Sequence, residues 1–289
     1  MKKLSIMHST VYRYSRPVVL NEHKLMVRPR EGHQLKLISH KVSVSPHASL
    51  RWSQDVQGNT IGRATFEEPT DILQVDAHSV VELDSEPWPV FDIDASAISY
   101  PFLYSEHDLT DLGPMMTPHY PDPDSLLENW VRGFVRSVPT DTLSMLKDLS
   151  AGVSKAITYV ARDAEGTQTP LQTLGVQRGS CRDFAVLLAE AARNLGFGSR
   201  IVSGYRYFGD TDEPRTGDND STHAWVEIFL PGAGWIAFDP TNNWVGNHNL
   251  IPVGVGGDIR QLAPVAGSFA GPSDALIKMK VGVQIKSYL

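Results

Sequence analysis

Cysteine is almost absent from this chain: 289 residues contain one, Cys181. A single thiol cannot close an intramolecular disulfide, and one cysteine among scattered histidines is too sparse for a structural zinc site, which takes four N or S ligands. Of the ten histidines, the nine other than His223, His8, His23 and His248 among them, show no metal-ligand spacing, and neither a metal nor another cofactor is expected. Runs of Lys and Arg are also missing and the net charge is −7, which removes the electrostatic footprint of nucleic acid or an anionic membrane. No segment reaches the roughly 20 apolar residues of a membrane span. The opening stretch from Met1 to Thr10 has a basic pair but no apolar run of secretory length. The expectation is a cytoplasmic protein, in a reduced compartment that keeps a lone thiol active.

What is present is the composition of a folded globular protein, 41 % hydrophobic and 20 % charged, long enough for two domains. From Leu4 to Leu83, apolar and polar residues alternate over Thr10 to Tyr14, Lys24 to Val27, Leu35 to Val44, Ile72 to Val75 and Ser79 to Leu83. Alternation with turn signals such as Gln57-Gly58-Asn59 predicts an antiparallel β domain. Glu86 to Pro123 holds seven prolines and little periodicity, as a surface connection would. Helical spacing follows from Asp124 through Phe134 and from Asp141 through Val160, so two helices are expected before the cysteine. A third runs from Phe184 to Leu195, stopped by Gly196 and apolar nearly all round. Strands are expected over Arg200 to Tyr207, His223 to Leu230 and Trp235 to Phe238, with one more over Ala275 to Ile285. The expected division is a β domain with its Pro-rich connection over 1–115, a core over 116–250 and a C-terminal extension over 251–289.

Cys181 falls in the first turn of the third helix if Ser180 caps it, where free N–H groups and the helix dipole favour a thiolate. The dipole contributes on the order of 1 kcal/mol, too little to ionise an ordinary thiol at neutral pH, so a base is needed. His223 is the candidate, and Asp239 at the end of the following strand is the candidate acceptor for its second ring nitrogen. Hairpin register decides whether they meet. Pairing Leu230 with Trp235 would put His223 and Asp239 on opposite faces; pairing Phe229 with Trp235 sets Asp239 opposite Trp225, diagonal to His223. The second register requires an odd loop or a bulge at Pro231 to Gly234. Asp183 stands at capping-box spacing from Ser180 and is assigned to helix stability. Trp225 and Trp235 are expected in the core or the cleft wall. The acidic run Gly209 to Asp220 is placed at the cleft mouth.

Four blocks occur in order: Gly179-Ser180-Cys181-Arg182-Asp183-Phe184-Ala185, Ser203-Gly204-Tyr205, His223-Ala224-Trp225-Val226-Glu227, and Gly234-Trp235-Ile236-Ala237-Phe238-Asp239-Pro240-Thr241-Asn242. They resemble the bacterial transglutaminase-like core, a family often labelled provisionally as cysteine proteases. Asn21 to Arg30, with Leu25 and Arg28-Pro29-Arg30, followed by Asp55 to Asn59, resembles the β domain preceding that core in one bacterial branch. The resemblance implies an α+β fold: a papain-like transglutaminase core, its nucleophile helix packed on an antiparallel sheet, after an all-β domain. It implies Cys181 as nucleophile, His223 as base and acid, and Asp239 as orienting carboxylate. Departures are Arg182, where animal transglutaminases carry Trp, the lack of a calcium-site motif, and Gly257-Asp258 in place of the branch's Arg-Asp.

Thiol attack on an amide carbonyl would pass through an oxyanion to a thioester. The Cys181 N–H is the natural first oxyanion donor, with Gln177 and Tyr205 as candidates for the second. The expected activity is hydrolysis of a peptide or isopeptide, γ-glutamyl-type bond, with a peptide or amide as the partner. An amine-accepting transglutaminase and a non-catalytic scaffold or peptide-binding module are the alternatives, and metal binding by Cys181, His223 and Asp239 is a third.

Overall fold

The computed structural model describes residues 2–84, 89–162, 166–208 and 222–288. Strand β1 (Lys2–Leu20) buries Leu4, Ile6, His8 and Thr10 in alternation, as a strand with one face on a core must. β2 (His23–Leu25), β3 (Leu35–Ser45), β4 (Ala48–Gln54), β5 (Thr60–Phe66) and β6 (Thr70–Leu83) follow. The two stretches expected over 72–75 and 79–83 are one strand, because Asp76, Ala77 and His78 between them stay paired with Ser9, His8 and Met7. β4 and β5 carry too little alternation to be read in advance, and they pair with each other through the whole of β4.

The Pro-rich connection is more structured than expected. It forms β7 (Ser99–Tyr100) and α1 (Glu106–Leu112); after it come α2 (Leu126–Arg132) and β8 (Thr140–Asp141), which pairs with β7. α3 (Thr142–Ala156) starts where Asp141 Oδ1 accepts the Ser144 N–H at 2.7 Å. β9 (Thr158–Tyr159), α4 (Pro170–Val176) and β10 (Arg178–Gly179) lead into α5 (Cys181–Asn194). Four described α-helices therefore precede the cysteine-bearing one rather than two. α1 and α4 are each seven residues, too short to display a period, yet both carry caps: Ser105 accepts from Asp108, and Thr169 exchanges hydrogen bonds with Gln172 behind Pro170.

The central sheet is antiparallel, built from β11 (Ser199–Arg206), β12 (His223–Leu230), β13 (Gly234–Asp239), β14 (Trp244–Val245) and β15 (Leu250–Gly256) in the order β14-β13-β12-β11-β15. α5 is buried along Phe184 to Ala192 and packs with Ala224, Val226, Ile228 and Phe238 of this sheet. Its C-terminal end is fixed by a buried ion pair. Arg193 Nη1 donates to Glu190 Oε1 at 2.6 Å, and Nη2 donates to the Ser199 and Gly257 carbonyls. Glu190 Oε2 accepts the His119 and Tyr120 N–H groups.

The C-terminal segment serves both halves. β15 is an edge of the central sheet; β16 (Val265–Ala266) pairs with β2, while β17 (Phe269–Ala270) and β18 (Leu276–Tyr288) pair with β1. Two further ties cross between the halves. The Asn59 side chain donates to the Val255 carbonyl and accepts its N–H, at 2.7 and 2.9 Å, while Arg30 holds Asn59 at 2.6 Å. His8 lies between two hydroxyls, Nδ1 2.9 Å from Tyr205 Oη and Nε2 2.8 Å from Thr10 Oγ1. A neutral imidazole suits that bridge, accepting from one hydroxyl and donating to the other.

Two predictions follow from these buried groups. Arg193→Met leaves Glu190 buried without its cation and should cost about 3–5 kcal/mol in urea unfolding, whereas replacing both partners by apolar residues should cost less. Burial, partly opposed by Asp76, pushes His8 down to about 4. The unfolded chain therefore takes up a proton below about pH 6.5 that the folded one refuses, and stability falls as pH drops from there toward 4. His8→Gln should flatten that part of the pH–stability curve.

Candidate active site

α5 begins at Cys181, so the thiol sits where the first-turn N–H groups have no intrahelical acceptor. The carboxylate of Asp183 sets this turn: Oδ2 accepts both the Ser180 N–H and the Ser180 hydroxyl at 2.8 Å, and Oδ1 accepts the Gln168 N–H at 2.7 Å and Arg162 Nη2 at 2.9 Å. Fully buried Asp183 thus anchors the approach to the helix, the structural role expected of it, and also fastens residues 162 and 168.

The β12–β13 hairpin takes the register that brings the other two residues together. Phe229 pairs with Trp235 and Leu230 with Gly234 across a three-residue loop, Pro231 to Ala233. Val226 faces Phe238, and the same register carried on sets Asp239 opposite Trp225. Gly232 makes the loop possible. Its φ is +81°, and a Cβ there would lie 2.6 Å from the Asp92 carbonyl oxygen, so only glycine passes under the 92–94 segment that clamps the loop.

His223 Nε2 donates to Asp239 Oδ2 at 2.7 Å, with both side chains buried. The imidazole also hydrogen-bonds Cys181, and with Nε2 committed to Asp239 the nitrogen left for sulfur is Nδ1. Burial alone would disfavour the imidazolium. The charge and hydrogen bond of Asp239, joined by Cys181, outweigh it and push His223 up to about 9. For Asp239 burial acts upward, but the imidazolium, the Asn242 amide and Arg206 hold its carboxyl below the usual carboxylate range. Asn242 Nδ2 donates to Oδ2 at 2.6 Å, and the Thr241 and Asn242 N–H groups reach Oδ1 at 3.0 and 3.3 Å. The sequence reading did not assign Asn242 a role; its signal was the position three residues after Asp239, where an Asx-type turn folds back on the carboxylate.

Cys181 and His223 open into a cavity of about 420 Å³. Neither proposed second oxyanion donor reaches it. Tyr205 Oη is buried against His8, and Gln177 is exposed at the C-terminal end of α4 with φ +53°. Arg182 does line the cavity, its Nη2 donating to the Arg162 carbonyl at 2.9 Å. Trp225 is in the core, its ring stacked 6.0 Å from that of His223, and Trp235 lies under the Arg200 guanidinium. The acidic run 209–220 lies outside the described residues. Among the described residues no helix is long and apolar enough to cross a membrane.

A buried helix presenting a cysteine at its first residue, beside a sheet that carries a paired histidine and aspartate, defines an α+β protein of papain-like build. Residues 4–82 match the bacterial transglutaminase-like N-terminal region and residues 128–240 the transglutaminase-like superfamily. The chain belongs to the bacterial transglutaminase-like family. It is 25 % identical to an uncharacterized protein of Mycobacterium tuberculosis over 96 % of this chain and 91 % of that one. It is 27 % identical to an uncharacterized protein of Mycobacterium leprae over 94 % of each. A proposed cysteine protease from Cytophaga hutchinsonii shares the fold, with a TM-score of 0.75 and 18 % identity over 99 % of this chain and 90 % of that one.

The imidazolium–carboxylate pair should leave a pH signature in stability. His223 is raised, so its contribution is full below about pH 6.5 and is lost as pH rises through about 9; Asp239 is lowered, so its contribution is lost as pH falls below the ordinary carboxylate range. Asp239→Asn should therefore destabilise more at pH 6 than at pH 10 in urea titrations.

Proposed function

We propose that this protein is a thiol-dependent acyl-transfer enzyme that hydrolyses a peptide or isopeptide, γ-glutamyl-type amide bond. The observation that carries the reading is the single imidazole of His223 held at 2.7 Å by Asp239 on one nitrogen and hydrogen-bonded to Cys181 through the other. Cys181 Sγ, its proton passed to His223, attacks the carbonyl carbon. The C–S bond forms as the carbonyl π pair moves to oxygen, which the Cys181 N–H at the helix start is placed to receive. The oxyanion collapses, the C–N bond breaks, and the imidazolium protonates the departing amine to leave a thioester. His223 then takes a proton from water, whose oxygen attacks the thioester; the acid departs and the thiol is restored.

Asp239 holds the imidazole's tautomer and orientation and stabilises the imidazolium, without itself taking the proton. Cys181 is half-buried at the cavity, which leaves a thioester within reach of water. We place the reaction in the cytoplasm, where a lone thiol stays reduced.

Peptidyl and γ-glutamyl anilides test this directly. The wild type should release the free aniline, Cys181→Ala should fall to background, and Asp239→Asn should lose roughly 10²–10⁴-fold in kcat/KM. The wild-type rate should decline as pH rises through about 9, where the imidazolium loses its proton. Alkylation by iodoacetamide at pH 7 should slow at least about tenfold in His223→Ala; a rate indifferent to His223, with no aniline released, would sink the proposal in favour of a scaffold. Diversion of the acyl group to an added primary amine would make the enzyme a transglutaminase.

A further inference from the structure

The cavity beside Cys181 is not made by the core alone. β1 and β18 are paired so that His8 faces Val283, Thr10 faces Val281 and Tyr12 faces Met279. Alternate residues of a strand share a face, so these six side chains form one row on one side of the ribbon. At the inner end of the row His8 and Val283 are each 1 % exposed, and His8 is joined to Tyr205 of β11. The next two pairs, Thr10 with Val281 and Tyr12 with Met279, line the cavity that holds Cys181 and His223. A strand row that starts as packing against the core thus continues as a wall of the cleft.

The facing wall comes from the 259–265 segment, where Ile259, Leu262, Pro264 and Val265 line the same cavity. Tyr12 Oη, 3.4 Å from the Val265 carbonyl, joins the two walls. The arginines at the cavity already have partners: Arg162 is bound to Asp183 at 2.9 Å, Arg260 is paired with Asp258, and Arg182 donates to the Arg162 carbonyl. Two apolar walls with their neighbouring guanidinium groups engaged call for an apolar ligand group. At about 420 Å³ the space suits a small ligand or a few residues of a chain.

We propose that the β1–β18 face is the specificity wall of the active site and receives an apolar side chain on the acyl group being transferred, with Tyr12, Met279 and Val281 as specificity-determining residues. This rests on the reading of Cys181 as a nucleophile. The N-terminal β domain is then part of the substrate site, and the C-terminal strand completes it.

Chloromethyl ketones, R–CO–CH2–Cl, test the wall without a known substrate: a bond forms from Cys181 Sγ to the methylene carbon, chloride leaves, and R occupies the acyl side. The quantity to measure is the rate with R = phenethyl divided by that with R = methyl, relative to the same quotient for N-acetylcysteine in solution. In the wild type it should exceed the free thiol's by on the order of tenfold. In Met279→Ser and in Val281→Asp it should fall to within about twofold of the free thiol. Met279 is half-buried, so the serine variant keeps the test available if the aspartate disturbs folding. A wild-type quotient equal to the free thiol's, or one that both variants retain, overturns the proposal. Failure of the nucleophile reading shows separately, as a methyl-ketone rate that does not respond to His223→Ala.

Discussion

The pairing of Phe229 with Trp235 is the constraint on which the site hangs. A slip by one residue would turn Asp239 to the other face of the sheet, leaving His223 without an acceptor and a buried carboxylate without a cation. The protein fixes the register with a three-residue loop, a glycine that passes beneath the 92–94 segment, and a hydrogen bond from Asp94 N–H to the Pro231 carbonyl at 2.9 Å. The Pro-rich connection therefore acts as a clamp on the hairpin that carries His223 and Asp239.

Three buried carboxylates follow one pattern here: each is compensated on several sides by more than one donor. Asp183 receives Ser180, Gln168 and Arg162; Glu190 receives Arg193 and two backbone N–H groups; Asp239 receives His223, Asn242 and the Thr241 N–H. Multiple donors offset the desolvation of each carboxylate and lock the elements that supply them. Two of these clusters sit at the two ends of α5. Its position along its own axis is therefore set at both ends, and with it the distance from Cys181 to the hairpin.

The first and last strands of the chain lie side by side, and their shared face meets the core at His8 and the cleft at Tyr12. Asn59 and Arg30 make a second junction against β15, drawing on the two N-terminal stretches whose resemblance to the bacterial β domain is visible in the sequence. A module held at two junctions is placed to line the cavity of Cys181 and His223 as well as to pack on the core. Its sheet supplies one side of a cavity whose other side holds Cys181 of α5 and His223 of the central sheet.

The order Cys181, His223, Asp239, the cap before the cysteine and the apolar girth of α5 were legible because each is local: a helix period, a strand alternation, a loop length. The need for an odd hairpin loop followed from parity alone. The short helices α1 and α4 and the strands β4 and β5 were not read, since seven residues display little period and their burial is conferred by neighbours. Thr10, Tyr12, Met279 and Val281 carry no distinguishing signal in the chain, and Asn242 only its spacing from Asp239. By itself the sequence determined the family, the α+β class and the residues able to do thiol chemistry. Only the tertiary structure decided that His223 is held between Asp239 and Cys181 and that β1 and β18 wall the cleft, because those arrangements join residues up to about 270 positions apart and depend on how separate sheets pack.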